Sequence, residues 1–202
     1  MKTSERAETF DALYRADPDP WHFTSSEYER VKRGATLDAL PEEHFPCALE
    51  VGCSIGNLAA ELASRCGSLL AIDVSEVALS QARARCQRGN VIYRCAEIPQ
   101  AWPGGTYDLI VFSEVLYFLN AGEVRRSSEL AFSSLASGGT VLLVNWIGPT
   151  DTALTGDDAA EVFLAGAGDA SWRTTRTRRE ASYRIDVLHA VPSDCQAGAK
   201  WV

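Results

Sequence analysis

Glycines and carboxylates at the ends of two apolar segments are the residues here whose spacing could do chemistry. Residues 48–56 read Ala-Leu-Glu-Val-Gly-Cys-Ser-Ile-Gly, an apolar strand entering a glycine turn that opens a helix. Such a turn lets a ligand approach the backbone and offers it free N–H donors. Asp73 ends the next apolar segment, 21 positions after Gly52, close to the spacing at which an acid meets ribose hydroxyls. The alternatives are a turn without a ligand and an acid that merely precedes a helix.

The glycine turn also indicates which kind of ligand it would hold. A dinucleotide-binding turn starting at Gly52 would need glycine at positions 54 and 57, where this chain has Ser54 and Asn57. Glu50, a carboxylate near the end of an apolar strand, is unfavourable beside a phosphate but suits a cationic ligand. A surface carboxylate at a strand end is the alternative interpretation of Glu50.

Four motifs in order resemble those of class I S-adenosylmethionine-dependent methyltransferases. Residues 50–56 are similar to the family's first motif, with Ser54 replacing its middle glycine, and Asp73 falls on its ribose-binding acid. Residues 107–119 and 137–143 are similar to its motifs on strands four and five. The resemblance implies S-adenosylmethionine as the cofactor.

A narrower resemblance is carried by Asp19-Pro-Trp-His-Phe, Tyr28-Glu-Arg30 and residues 113–119. These segments resemble the rhizobial nodulation protein S family, N-methyltransferases that act on the deacetylated terminal glucosamine of a chitooligosaccharide in Nod factor synthesis. The resemblance implies an amino sugar as methyl acceptor. An N- or O-methyltransferase of another small metabolite and a non-catalytic cofactor-binding regulatory protein stay open.

The resemblance also implies roles for individual residues. Glu50 would bind the ammonium of the cofactor's methionine end, Asp73 the two ribose hydroxyls, and Val74 would lie along the adenine. Trp21 and Arg30 would lie on an N-terminal arm, with the guanidinium facing the methionine carboxylate; helix packing and a surface salt bridge are their alternatives. The remaining predicted cofactor contacts are Gly52, Cys53, Ser54, Gly56, Ala96, Glu97 and Ser113, of which Ala96 and Glu97 could instead form a plain loop.

Glu114 and Tyr117 are the candidate catalytic residues because they follow the fourth predicted strand, at the sheet edge where ligands bind. An amine must attack as the neutral base, so Glu114 could take its proton or only orient it, while packing or capping is the alternative. Asn145 and Trp146 end the fifth strand at the same edge. Three further acids could attract a positively charged acceptor or simply begin a solvated helix: Asp151, Asp157 and Asp158.

Length and composition indicate one globular domain, which we expect to be cytoplasmic. The 202 residues are 46% hydrophobic, enough for one core, and the net charge of -8 disfavours nucleic acid and anionic membranes as partners. The opening residues lack the apolar core of a secretory signal, and no run of about 18 apolar residues could span a bilayer. The six cysteines and three histidines have no spacing typical of a metal site, so no metal is expected.

The elements that must position these residues alternate as strands and helices do in a parallel sheet. We predict an N-terminal helical arm (1–45), a cofactor-binding domain (46–191) and a C-terminal tail (192–202). The domain is expected to be Rossmann-like and doubly wound, with about seven strands and an antiparallel C-terminal hairpin, as the resemblance implies. Within it, a helix over 125–135 is expected to end at the glycines 138–139. Five arginines are expected to lie on the edge hairpin: Arg173, Arg176, Arg178, Arg179 and Arg184.

Overall fold

The computed structural model describes residues 4–166 and 172–190. Seven strands form one sheet: β1 (Phe45–Val51), β2 (Cys66–Asp73), β3 (Val91–Cys95), β4 (Tyr107–Ser113), β5 (Leu135–Trp146), β6 (Trp172–Arg179) and β7 (Tyr183–Ala190). Six α-helices accompany them: α1 (Glu5–Ala16), α2 (Glu27–Ala39), α3 (Asn57–Leu62), α4 (Glu76–Arg85), α5 (Ala121–Ser133) and α6 (Gly156–Gly166). The predicted tail, 192–202, lies outside the described residues.

The strand order in the sheet is β3-β2-β1-β4-β5-β7-β6. β1 to β5 pair in parallel, whereas β7 pairs antiparallel with both β5 and β6. The predicted seven-stranded α/β sheet with an antiparallel C-terminal hairpin is therefore confirmed. The chain runs out to β3 and returns to place β4 beside β1, so the strand order reverses between β1 and β4, where open α/β sheets bind ligands.

The central strands are buried on both faces. Ala48, Leu49, Leu109 and Ile110 have no exposed surface, as expected for parallel strands covered by helices on each side. This rigid middle of the sheet fixes the ends of β1 and β4. In the described part of the chain, no helix has the length and apolar character needed to cross a membrane.

The predicted end of the helix over residues 125–135 was wrong. α5 ends at Ser133 rather than at the glycines, because β5 already begins at Leu135 and pairs there with Tyr107. Gly138, with a φ of +74°, lies within β5 where the pairing with β4 shifts register. The glycine therefore accommodates an irregularity in a strand instead of ending a helix.

The arginine-rich hairpin was predicted only in part. β6 is the edge strand and carries exposed arginines, which is typical of protected edges. Arg184 also lies on the hairpin, in β7, but it is only 8% exposed. Its guanidinium contacts Glu161 at 2.6 Å and Asp186 at 2.7 Å. Arg184 therefore belongs to an ion-pair cluster that joins β7 to α6, with Asp186 buried and Glu161 exposed.

Gly56 precedes α3 and is required by packing. Its φ is +81°, and a Cβ there would lie 2.8 Å from the Cβ of Ala82 in α4. We expect Gly56→Ala to lower the free energy of unfolding by roughly 1 to 3 kcal/mol, because alanine is strained in the left-handed conformation and its Cβ would overlap Ala82.

Gly34→Ala is the matched control, because Gly34 lies inside α2 and a Cβ added there would have no other atom within 4 Å. It should raise the free energy of unfolding by about 0.5 to 1 kcal/mol. Urea denaturation of both variants tests this, and equal stabilities would contradict the proposed close packing of α3 on α4.

Candidate functional site

A cavity of about 630 Å³ opens at the carboxyl ends of β1, β2 and β4. Helices α1 and α2 cover it from the N-terminal side, and the loop after β5 lies along its margin. Predicted site residues lining it are Trp21, Glu50, Gly52, Cys53, Ser54, Asp73, Val74, Ala96, Glu97, Ser113, Glu114 and Tyr117. Of the fourteen predicted residues, Arg30 and Gly56 do not line the cavity.

The glycine turn after β1 forms the floor of the cavity. Gly52 has a φ of +82°, and a Cβ there would lie 2.8 Å from the carbonyl oxygen of Ser113. Ser54 also has a positive φ, +50°. The close approach of this turn to β4 leaves room only for hydrogen at Gly52, so the turn and the end of β4 form one surface.

Glu50 has an unusual environment. Its side chain is 1% exposed, and neither carboxylate oxygen has a hydrogen-bond partner among the residues that the structure describes. Burial, with a smaller contribution from Asp73, raises the pKa of Glu50 from 4.5 to about 8. A buried carboxylate needs a cation or donors to stay charged. A ligand ammonium entering from the cavity would supply both.

Asp73, at the end of β2, is held by backbone donors. Its Oδ2 accepts from the amide of Ser54 at 2.8 Å, and its Oδ1 accepts from the amide of Ser75 at 2.9 Å. Burial nevertheless raises the pKa of Asp73 above its ordinary value. The two bonds fix the carboxylate in one orientation, and its oxygens retain lone pairs for ligand hydroxyls.

α1 is fixed over the cavity by polar contacts at both ends. Arg6 donates to Glu97 at 2.6 Å and to Glu123 at 2.8 Å. Asp11 accepts from the hydroxyl of Ser75 at 2.6 Å and from the amide of Val77 at 3.2 Å. Glu97, predicted as a cofactor contact, is thus engaged with α1 while it lines the cavity.

Aromatic side chains shield the cavity beneath α1. Trp21 is 38% exposed, and its ring lies 5.7 Å from that of Tyr14 and 5.6 Å from that of Phe23. The hydroxyl of Tyr14 in turn contacts the hydroxyl of Ser54 in the glycine turn. The arm therefore contributes an apolar cover that can exclude water from a ligand.

The predicted position of Arg30 was wrong. Arg30 points outward from α2, its side chain is 67% exposed, and it pairs with Glu27. Arg33, three positions further along the helix, lines the cavity and donates to the carbonyl of Phe23 at 2.8 Å. The residues of α2 that line the cavity recur every three or four positions and share one face, which includes Arg33 and leaves out Arg30. The residues of α2 and its flank on that face are Tyr28, Glu29, Lys32, Arg33 and Thr36.

Glu114 lies in the turn between β4 and a single 3-10 turn, Leu116–Phe118, with a φ of +54°. Its Oε1 accepts from Nζ of Lys32 at 2.6 Å. Its Oε2 accepts from the hydroxyl of Tyr117 at 2.9 Å and from the amide of Trp146 at 2.6 Å. The structure thus brings both candidate catalytic residues together and adds Lys32, which the sequence did not suggest.

Lys32 joins two acids across the cavity. Its Nζ also donates to Oε1 of Glu29 at 2.9 Å, and it lies 5.1 Å from the centre of the Tyr28 ring. Burial raises the pKa of Glu29. The result is a buried Glu29–Lys32–Glu114 network at the end of the cavity away from Asp73.

Some of the other polar candidates line the cavity, and the others make structural contacts elsewhere in the fold. Trp146 and Asp151 line the cavity. Asn145 is completely buried, outside the cavity lining. Asp157 pairs with Arg179, which lowers the pKa of its carboxyl, and Asp158 accepts from the hydroxyl of Thr155 at 2.7 Å. Asp157 and Asp158 therefore stabilise α6 and the hairpin.

The model of the family described as Nodulation protein S (NodS) matches residues 7–145. The chain is 33% identical over 143 residues to a nodulation protein S from Rhizobium tropici, covering 69% of this chain and 59% of the relative. It is 32% identical over 127 residues to one from Sinorhizobium fredii, covering 61% of this chain and 59% of the relative. The matched part of the chain thus spans less than two thirds of these relatives' lengths.

Two solved structures share the fold. The N-methyltransferase NodS from Bradyrhizobium japonicum WM9, in complex with S-adenosyl-L-homocysteine, superposes with a TM-score of 0.78 at 22% identity, covering 90% of this chain and 98% of that one. A crystal structure described as a putative methyltransferase from Pseudomonas syringae gives a TM-score of 0.70 at 32% identity, covering 81% of this chain and 99% of that one.

The buried Glu50 predicts a pH dependence of stability. Because its folded-state pKa of about 8 exceeds 4.5, the folded state binds more protons between these values than the unfolded state. Stability therefore falls as pH rises through this range. We expect Glu50→Gln to flatten this fall in the ligand-free chain by a few kcal/mol, measured by urea denaturation across pH. A Glu50→Gln curve parallel to that of the unsubstituted chain would contradict the burial of an unpaired carboxylate.

Proposed function

Because the chain belongs to the nodulation protein S family, we propose that it binds S-adenosylmethionine in this cavity and transfers the methyl group to an amine. The observation that carries the proposal is Glu50, a buried carboxylate that lines the cavity with Asp73 and has no hydrogen-bond partner in the described part of the chain. Such a carboxylate suits an ammonium, and a second acid at the end of the next strand suits ribose hydroxyls. S-adenosylmethionine carries both groups.

The residues along the cavity suggest where each part of the cofactor would lie. Glu50 would bind the ammonium of the methionine end, and Arg33 would bind its carboxylate. Asp73 would accept from the ribose hydroxyls, with Val74 and Ala96 along the adenine. Trp21 would help to cover the bound molecule and exclude water.

The bound cofactor would supply a methyl group on a positively charged sulfur, which an amine can attack directly. What the chain must provide is an acceptor held in line with the bond that breaks, in a site from which water is excluded. The rigid ends of β1 and β4 and the cover formed by α1 and α2 can provide that positioning.

The acceptor end of the cavity favours an amine over a neutral group. Three acids, Glu29, Glu114 and Asp151, line it against two cations, Lys32 and Arg33, so the acids outnumber the basic groups. The Tyr28 and Trp146 rings, 5.8 Å apart, offer apolar faces of the kind that stack on sugars. We therefore propose an amino sugar as acceptor, specifically the deacetylated terminal glucosamine of a chitooligosaccharide.

The direct test uses labelled S-adenosylmethionine and partly deacetylated chitooligosaccharides, with mass spectrometry of the products. We expect one added methyl on the terminal glucosamine nitrogen. Asp73→Ala should weaken cofactor binding by about 1 to 3 kcal/mol, because two ribose hydroxyls lose their acceptor. Cofactor binding without a labelled product would point to another small acceptor or to a non-catalytic role, and nicotinamide cofactor binding would refute the cofactor assignment.

Arg33 and Arg30 form a matched pair for testing the carboxylate contact, since both lie on α2 but only Arg33 lines the cavity. We expect Arg33→Met to weaken binding of S-adenosylhomocysteine by roughly 10- to 100-fold, the effect of removing a charged hydrogen bond. Arg30→Met should leave the affinity unchanged. Calorimetric titration measures both, with circular dichroism to verify folding; equal affinities would place the carboxylate elsewhere.

A further inference from the structure

Glu29 and Glu114 face the acceptor end of the cavity on either side of Lys32, and their surroundings differ. We propose that Glu29 takes the proton from the acceptor amine, while Glu114 orients that amine as a hydrogen-bonded carboxylate. This inference rests on the proposed methyl transfer to an amine. It assigns separate roles to two side chains that Lys32 joins.

Glu114 is poorly placed to take a proton. Its Oε1 faces the ammonium of Lys32 at 2.6 Å, and its Oε2 accepts from both Tyr117 and the amide of Trp146. A proton added to either oxygen would meet a donor that is already there. Three donors from three different parts of the chain instead hold the carboxylate fixed in place. Such a group can accept a hydrogen bond from an amine and set its direction.

Glu29 has the opposite surroundings. Only its Oε1 is engaged, by Lys32 at 2.9 Å, and across residues 4–166 and 172–190 no hydrogen bond to its Oε2 is found. The side chain is 10% exposed and lines the cavity. Its pKa is raised by burial and by the charge of Glu114 and lowered by Lys32 and Arg33, with a net upward shift. Tyr28 and Tyr117 are the other titratable groups nearby.

The proposed step conserves atoms and charge. An acceptor ammonium transfers one proton to Oε2 of Glu29, which leaves a neutral amine and a neutral carboxylic acid. The nitrogen lone pair then forms the bond to the methyl carbon while the carbon–sulfur bond breaks, and that electron pair stays on sulfur. The product leaves as a methylated ammonium, and Glu29 returns its proton to solvent.

Lys32 is a positioning residue in this scheme. Its ammonium lies between the two carboxylates and reduces their repulsion, so both can remain close to one acceptor nitrogen. The Tyr28 ring lies against it, which fixes the lysine further.

The test compares Glu29→Gln with Glu114→Gln and uses Glu27→Gln as the matched control, because Glu27 lies on the same helix but is exposed and paired with Arg30. The acceptor is a glucosamine-terminated chitooligosaccharide, and kcat is measured from mildly acidic to alkaline pH. We expect Glu29→Gln to lower kcat roughly 100-fold at neutral pH and to recover at alkaline pH, where the amine is already neutral. Glu114→Gln should raise the acceptor KM without alkaline recovery, and Glu27→Gln should behave as the unsubstituted chain.

A Glu29→Gln enzyme with unchanged kcat at neutral pH, or a loss that alkaline pH does not restore, would overturn the assignment. A chain that methylates no chitooligosaccharide would refute the proposed acceptor, and a second measurement then decides the role of Glu29. That measurement is a carbon-13 NMR titration of labelled glutamate carboxyls in the complex with S-adenosylhomocysteine. Apart from the Glu50 carboxyl, which is identified by its absence in Glu50→Gln, one carboxyl should titrate above the ordinary glutamate range and be missing only in Glu29→Gln; persistence of that second signal in Glu29→Gln would overturn the inference.

Discussion

The carboxylate of Glu50 is buried near the end of β1, residues 4–166 and 172–190 offer it no hydrogen-bond partner, and much of the site depends on this constraint. A fold that buries such a group loses stability in the absence of a ligand and regains it when a cation binds. The neighbouring strands cannot relieve the cost by moving, because β1 is paired on both sides and packed on both faces. The Glu50 carboxylate, which can bind an ammonium, is therefore held at a fixed position in the sheet.

The same rigidity explains why four residues with positive φ cluster at this edge. Gly52, Ser54, Gly56 and Glu114 all turn the chain sharply just after β1 or β4. Left-handed conformations of non-glycine residues are costly and persist only where surrounding structure determines them. Ser54 is held by the carboxylate of Asp73, and Glu114 is held by Lys32, Tyr117 and Trp146. Strained backbone and polar contacts thus fix the proposed cofactor end and the proposed acceptor end of the cavity at the same edge of the sheet.

The sequence predicted the sheet, and the residues it singled out around the glycine turn line one cavity, because both depend on local order along the chain: an apolar strand, a glycine turn, and an acid after the next strand. It predicted residues on helices less well. Arg30 and Arg33 are three positions apart, and which of them faces inward depends on how α2 is rotated against the sheet. Gly56 shares a motif with Gly52, yet it is required by its contact with Ala82 of α4, a tertiary contact that no local pattern encodes. Lys32 was missed for a related reason, since its two partners lie on different elements.

The range matched by the family covers the two ends of the cavity to different extents. Glu50, Asp73 and the residues of α1 and α2 that line the cavity mostly fall within the matched range, 7–145, whereas Trp146 and the 149–152 loop lie beyond it. The amide of Trp146 binds Glu114, so the first residue outside that range helps to set the geometry of the proposed acceptor contact. Differences in this loop among relatives could therefore change the acceptor while the cofactor site stays the same. The chemistry of the acceptor must accordingly be inferred from Glu29, Lys32 and Glu114 in this chain rather than from the family alone.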